Sequence, residues 1–169
     1  KLGTRDYGAG LQGMVSGRFI LVSCSFIHTV KRVDRIISAL QEVKTPIHWI
    51  HFGDGPLFTD VQNQANELLS TKENVSFEFR GKISNIELME FYQRNKVDVF
   101  INTSLSEGIP VTMMEALSFS IPVIGMDVGG VREIVSDDHG RLLPADASAV
   151  QIAGAIDSVL GLPEHELIN

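Results

Sequence analysis

The sequence predicts an α/β fold, a parallel sheet with helices on both faces, and three observations lead there. Short runs rich in β-branched and aromatic residues alternate with helical patterns along the whole chain, the alternation that parallel sheets require. One run, "VDVFINTS" (residues 97–104), is almost continuously apolar at its centre, as a strand buried on both faces must be. Most of the glycine and charged punctuation follows the strand-like runs, and in such sheets ligands bind beyond the carboxyl ends of the strands.

The elements follow in order. Residues 18–25, "RFILVSCS", form the first strand by β-branched and aromatic content. In residues 30–43, "VKRVDRIISALQEV", Val30, Val33, Ile36, Ile37 and Leu40 share one helical stripe. A second strand (46–53, "PIHWIHFG") and helix (57–70) lead to a third strand (74–81, "NVSFEFRG") and helix (85–95). The apolar fourth strand precedes a helix that begins at Pro110. A short strand (121–127), a helix near 131–135, "GRLLP" (140–144) and a helix from about 146 to 160 complete the chain. The ligand loops are then 24–31, 53–56, 81–84, 103–110 and 127–131.

Composition narrows the function. The 169 residues suffice for one domain burying ~70% of its unfolded surface, and no linker or repeat divides them. A net charge of −7 argues against a nucleic-acid partner, but a helix N-terminus with one lysine still suits a phosphate. Cys24 is the only cysteine, so no internal disulfide forms and a reducing, cytoplasmic setting is compatible. No apolar run approaches the ~20 residues of a membrane span. Residues 1–16 read as a lead-in cut from a longer protein. Within them "GAGLQG" (residues 8–13) has the letters of a dinucleotide fingerprint, but no apolar strand precedes it.

The strongest signal is "SLSEGIPVTMMEAL", residues 104–117. Pro110 suits a first helical turn, where its missing N–H costs nothing. The N–H groups of Val111 and Thr112 then point from the helix mouth with the positive dipole end behind them, and Gly108 permits close approach to the backbone. Glu107 lies just before the mouth. A carboxylate only accepts hydrogen bonds, so it pairs with hydroxyls, and a sugar carries many. Glu115 sits about 7.5 Å along the axis from Pro110 and leans back toward the N-terminus. One acid on a sugar, one on a ribose and phosphates between them fit a nucleotide sugar. Other readings stay open: Ser104 to Glu107 and Thr112 to Glu115 each spell a capping box, and a glycosidase pair would need the two carboxyls less than ~10 Å apart.

"EGIPVTMMEA" resembles the E-x7-E motif of family 4 (group 1) glycosyltransferases, which have the GT-B fold of two Rossmann-like domains. The resemblance extends through "FILVSCS", "VKRVDRIISAL", "HFGDGP", "FRGKIS", "VDVFINTSLSEGIPVTMMEAL", "IPVIGMDVGGVREIV" and "HGRLLP" in that order. It matches the C-terminal, donor-binding half of the family. It implies that residues 1–169 are one nucleotide-sugar-binding domain whose N-terminal acceptor domain belongs to the same chain, and that this domain alone binds donor without transferring sugar.

It also implies roles. Glu107 contacts the donor sugar, with backbone from Gly108, Ile109, Pro110, Val111 and Thr112 around sugar and phosphate. Lys31 neutralises the diphosphate, and Glu115 holds the ribose. Gly53, Gly81, Lys82 and Ile83 border the nucleotide base. The family usually adds an arginine at the end of the first strand; here "VSCS" puts Cys24 or a neighbour there, leaving Arg32 to supply a second charge. The implied reaction is retaining transfer of a sugar from a UDP- or GDP-sugar, in bacterial polysaccharide or glycolipid synthesis, with any membrane contact through the acceptor half.

The remaining candidates are structural. His48 and His51 face opposite sides of a strand and cannot share a metal. His28 reads as a solvated loop residue, "DDH" (residues 137–139) as a turn, and Asp98 as a strand-start residue with a backbone partner. No D-x-D occurs, so metal independence and the absence of any cofactor are expected. The rivals are an epimerase or hydrolase half on this fold, which needs further acid/base residues, and a non-catalytic binding module, which has no need of Glu107 or Lys31.

Overall fold

The computed structural model describes residues 16–161; the fingerprint-like residues 8–13 lie outside them. Six parallel strands form one sheet in the order β3-β2-β1-β4-β5-β6: β1 (Phe19–Cys24), β2 (Ile47–Phe52), β3 (Val75–Gly81), β4 (Val99–Asn102), β5 (Val123–Met126) and β6 (Gly140–Leu143). The helices are α1 (Val33–Glu42), α2 (Phe58–Leu69), α3 (Asn85–Arg94), α4 (Val111–Ser118), α5 (Val131–Ile134) and α6 (Ala149–Val159). This is a Rossmann-like parallel sheet with helices on both faces, as expected. The strand order reverses between β1 and β4, the place where such sheets open a crevice for ligand.

Strand alternation builds two cores. On one face Leu21, Ile47, Trp49, Val99, Ile101 and Ile124 pack under α1, α2 and α6. On the other, Ile20, Val22, Ile50, Phe52, Phe100 and Val123 pack under α3, α4 and α5. Each fully buried Leu, Ile or Phe contributes roughly 1.5–3 kcal/mol, so the two layers fix the register and leave the loops free for function. The apolar β4 lies between β1 and β5, central as its sequence requires.

The boundaries differ in one useful place. The stripe starting at Val30 predicts a helix from residue 30, whereas α1 begins at Val33. Arg32 adopts φ 47°, ψ 45°, a left-handed conformation uncommon for a side-chain-bearing residue, so residues 28–32 form a separate turn. Lys31 N–H closes that turn on His28 C=O at 3.0 Å. Asp98 accepts the Ile20 N–H at 2.8 Å, and residues 137–139 form a turn. No helix among the described residues is long and apolar enough to cross a membrane.

Candidate functional site

The β4–α4 loop is tied to the β1–α1 turn, and that tie assembles the site. Leu105 N–H donates to Val30 C=O at 2.8 Å, and the Thr103 hydroxyl donates to Arg32 C=O at 2.8 Å. The two loops thus bring Lys31 Nζ to 2.7 Å from Glu107 Oε1. Asn102, the last residue of β4, donates from Nδ2 to the same oxygen at 3.0 Å and accepts the Ser104 N–H through Oδ1 at 2.8 Å. The Glu107 side chain is only 9% exposed. Burial alone would raise its pKa, but the neighbouring Lys31, Ser104 and Asn102 side chains and the lysine charge hold the carboxyl below its ordinary value.

Two glycines close the loop from the β5 side. Gly130 N–H donates to Gly108 C=O at 2.9 Å. Gly129 has φ 51°, and a Cβ there would fall 1.7 Å from Glu107 C=O, so any side chain would push the acid out of place.

At the mouth of α4, Pro110 is the N-cap and no side chain caps the helix. The first-turn N–H groups of Val111 and Thr112 have no intrahelical acceptor, and they open beside Gly108, where a Cβ would meet nothing within 4 Å. Ile109 and Val111 are exposed. Neither suspected capping box forms: Glu107 is taken by Lys31 and Asn102, and Glu115 by Asn85. The real boxes are Ser84 with Glu87 and Ser148 with Gln151.

Glu115 lies deeper along α4. Asn85 Nδ2 donates to its Oε1 at 2.6 Å, while Oε2 is buried and unpartnered among the described residues. Behind it stand Cys24 and Tyr92. Burial and then the Glu115 charge push the Cys24 thiol up to about 12, so it stays protonated and unreactive. Burial first, then Coulombic repulsion from Cys24 and Glu115, raises the Tyr92 hydroxyl as well.

The loops after β2 and β3 reach the same end of the sheet. Gly53 N–H donates to Gly81 C=O at 2.7 Å. Gly53 has φ 135°, and a Cβ there would fall 1.9 Å from Ser25 C=O, so this position admits only glycine. Lys82 is exposed, and Ile83 is half-buried against the α3–α4 core. The structure places Arg32 differently from Lys31. Its guanidinium pairs with Asp34 at 2.8 Å and lines a separate hollow of about 270 Å³ with His28, Asp60 and Gln64. The left-handed turn at Arg32 sends neighbouring side chains apart, so the structure does not join Arg32 to Lys31 and Glu107. No group of three or more His, Cys, Asp or Glu among the described residues could hold a metal.

Sequence reasoning missed Asn102, Asn85, Tyr92 and the Gly129–Gly130 clamp. Only the glycine pair carried a local signal, two glycines at the end of a short strand.

The model of the family "Glycosyl transferases group 1" matches residues 12–167. The alpha-monoglucosyldiacylglycerol synthase of Streptococcus pneumoniae is 29% identical over 163 residues, covering 92% of this chain and 35% of its own. The N-acetyl-alpha-D-glucosaminyl L-malate synthase of Bacillus anthracis is 29% identical over 131 residues, covering 76% of this chain and 32% of its own. Among solved structures, HepE of Anabaena in complex with UDP and glucose superposes with TM-score 0.74 at 20% identity, covering 98% of this chain and 45% of its own. The chain spans a quarter to about a third of the length of the curated relatives it matches. By its sequence match over nearly all of its length, the chain belongs to the glycosyl transferases group 1 family.

Proposed function

We propose that this domain binds a UDP- or GDP-sugar and is the donor half of a retaining glycosyltransferase, with the acceptor domain in the same chain. The observation that carries the reading is the Lys31–Glu107 pair, 2.7 Å apart, at the uncapped mouth of α4. A cation and free N–H groups suit a diphosphate, and the acid beside them suits sugar hydroxyls. Glu115, one oxygen unpartnered, suits a ribose, with the 53–56 and 81–84 loops along the base. The structure of HepE holds UDP and glucose, and two relatives carry alpha in their names. The common nucleoside diphosphate hexoses are α-linked, so an α product means retention.

In the reaction, the sugar C1–O bond to the diphosphate breaks as the acceptor oxygen bonds C1 on the same face. The departing diphosphate oxygen takes the acceptor's proton. Lys31 and the N–H groups of Val111 and Thr112 would stabilise the charge growing on that diphosphate. The rest is positioning: Glu107 orients the sugar and Glu115 the ribose. Action in polysaccharide or glycolipid synthesis, at the cytoplasmic membrane face, follows from the same reading.

Calorimetry of the purified chain against UDP, GDP, ADP and their glucose conjugates tests it. One base series should bind, unchanged by EDTA, and Lys31→Ala should weaken the diphosphate about tenfold. Failure of every nucleotide to bind contradicts the reading. A tenfold loss under EDTA, ~1.4 kcal/mol, contradicts metal independence.

A further inference from the structure

Glu115 is held from outside its own helix. It projects from α4 toward the start of α3, where Asn85 Nδ2 donates to Oε1 at 2.6 Å. A carboxylate only accepts, so this contact also fixes the amide: its NH2 faces Glu115, and Oδ1 remains as an acceptor. Asn85 is exposed, yet its backbone is anchored. Glu87 N–H donates to Ser84 Oγ at 3.3 Å, and Ser84 N–H donates to Glu87 Oε2 at 2.9 Å. This capping box sets the first turn of α3. On the inner side, Oε2 of Glu115 and the hydroxyl of Tyr92, a residue only 5% exposed, are both buried and unpartnered among the described residues.

We propose that Asn85 is a positioning residue for nucleoside binding: its amide holds Glu115 across the groove between α3 and α4, with the carboxylate aimed before the ribose arrives. The proposal rests on the reading of Glu115 as the ribose acid. An acid fixed in advance loses no rotamer freedom on binding, which otherwise weakens affinity. Asn85 also follows directly on the 81–84 loop. A base seated on that loop has its ribose beside Asn85, so base loop and ribose acid act as one unit.

Asn85→Asp is the decisive variant. It keeps the shape, replaces the donor with an acceptor, and places an acid in the first turn of α3, where the helix dipole favours it. The melting temperature should therefore hold. Affinity for the nucleoside diphosphate selected by the panel should fall about tenfold, while inorganic pyrophosphate, which has no ribose, binds as before. Asn85→Ala should cost about threefold. In a Glu115→Gln background, Asn85→Asp should cost nothing further. If Asn85→Asp keeps full affinity while Glu115→Gln loses it, the role of Asn85 is overturned and the ribose reading stands. If Glu115→Gln has no effect on the nucleoside diphosphate, the ribose reading falls and this proposal with it. Equal losses for pyrophosphate and nucleoside diphosphate would show a general disturbance of the site and would also overturn it.

Discussion

The two ends of the sheet use carboxylates differently. At the amino end, Asp157 on α6 is 2% exposed and accepts the N–H groups of Lys44 and Thr45, one on each oxygen, both at 3.1 Å. Asp98 takes the Ile20 N–H at 2.8 Å on one oxygen and Lys96 at 2.8 Å on the other. Both oxygens of each acid are engaged, and both acids join main chain of separate elements. At the carboxyl end, Glu107 takes Lys31 and Asn102 on a single oxygen, and Glu115 has one oxygen buried without a partner among the described residues. A saturated acid stabilises the fold. Under the proposed function, the spare acceptor capacity of Glu107 and Glu115 is what a ligand would use.

Disturbing the amino end should therefore affect stability rather than binding. Asp157→Ala leaves two backbone donors unsatisfied near the start of β2, at ~1–3 kcal/mol each. Urea unfolding should show a loss of about 3 kcal/mol, with nucleotide affinity of the folded protein unchanged. A comparable loss from Glu115→Ala, whose carboxylate ties no backbone, would erase the distinction between the ends.

His51 gives the next largest effect. Burial holds its imidazole down to about 4 from an ordinary 6.5, against a smaller opposing contribution from the Ser25 backbone. The unfolded chain therefore binds a proton below pH 6.5 that the folded chain refuses until about 4. Stability from this residue is complete above pH 6.5 and is lost as pH falls toward 4, by about 3 kcal/mol at most. Unfolding midpoints between pH 7 and 4 should follow that slope, and His51→Gln should flatten it. An unaltered slope in the variant would assign the pH dependence to other groups.

Much of this was legible in the sequence, for physical reasons that also explain what was not. The strands and most helices follow from apolar periodicity, because each element buries one face or both. Glu107 and Glu115 stood out from the residues themselves, as two acids around a Gly-Ile-Pro helix start, whereas Lys31 was marked only by the family resemblance. The start of α1 did not, since Val30 continues the apolar stripe while the left-handed turn at Arg32 cuts the helix off before it. At the same turn Arg32 pairs with Asp34 rather than with Glu107. Asn85 meets Glu115 across thirty residues of chain, and Tyr92 reaches the same wall from another turn of α3. Such pairings arise from packing, and no local pattern announces them. The capping-box letters at Ser104 and Thr112 form no box, since neither residue is the N-cap of α4, whereas Ser84 and Ser148, which the sequence reading did not single out, are N-caps with formed boxes.

The central claim is that the two glutamates divide one ligand, and titration of two variants tests it most directly. Glu115→Gln should weaken the nucleoside diphosphate and its sugar conjugate alike, roughly tenfold or more. Glu107→Gln should weaken the sugar conjugate by a similar factor and leave the nucleoside diphosphate no weaker, since Lys31 loses its competing partner. Calorimetry of both variants with both ligands reads the four affinities. If both variants lose the two ligands in equal proportion, the division of roles is contradicted.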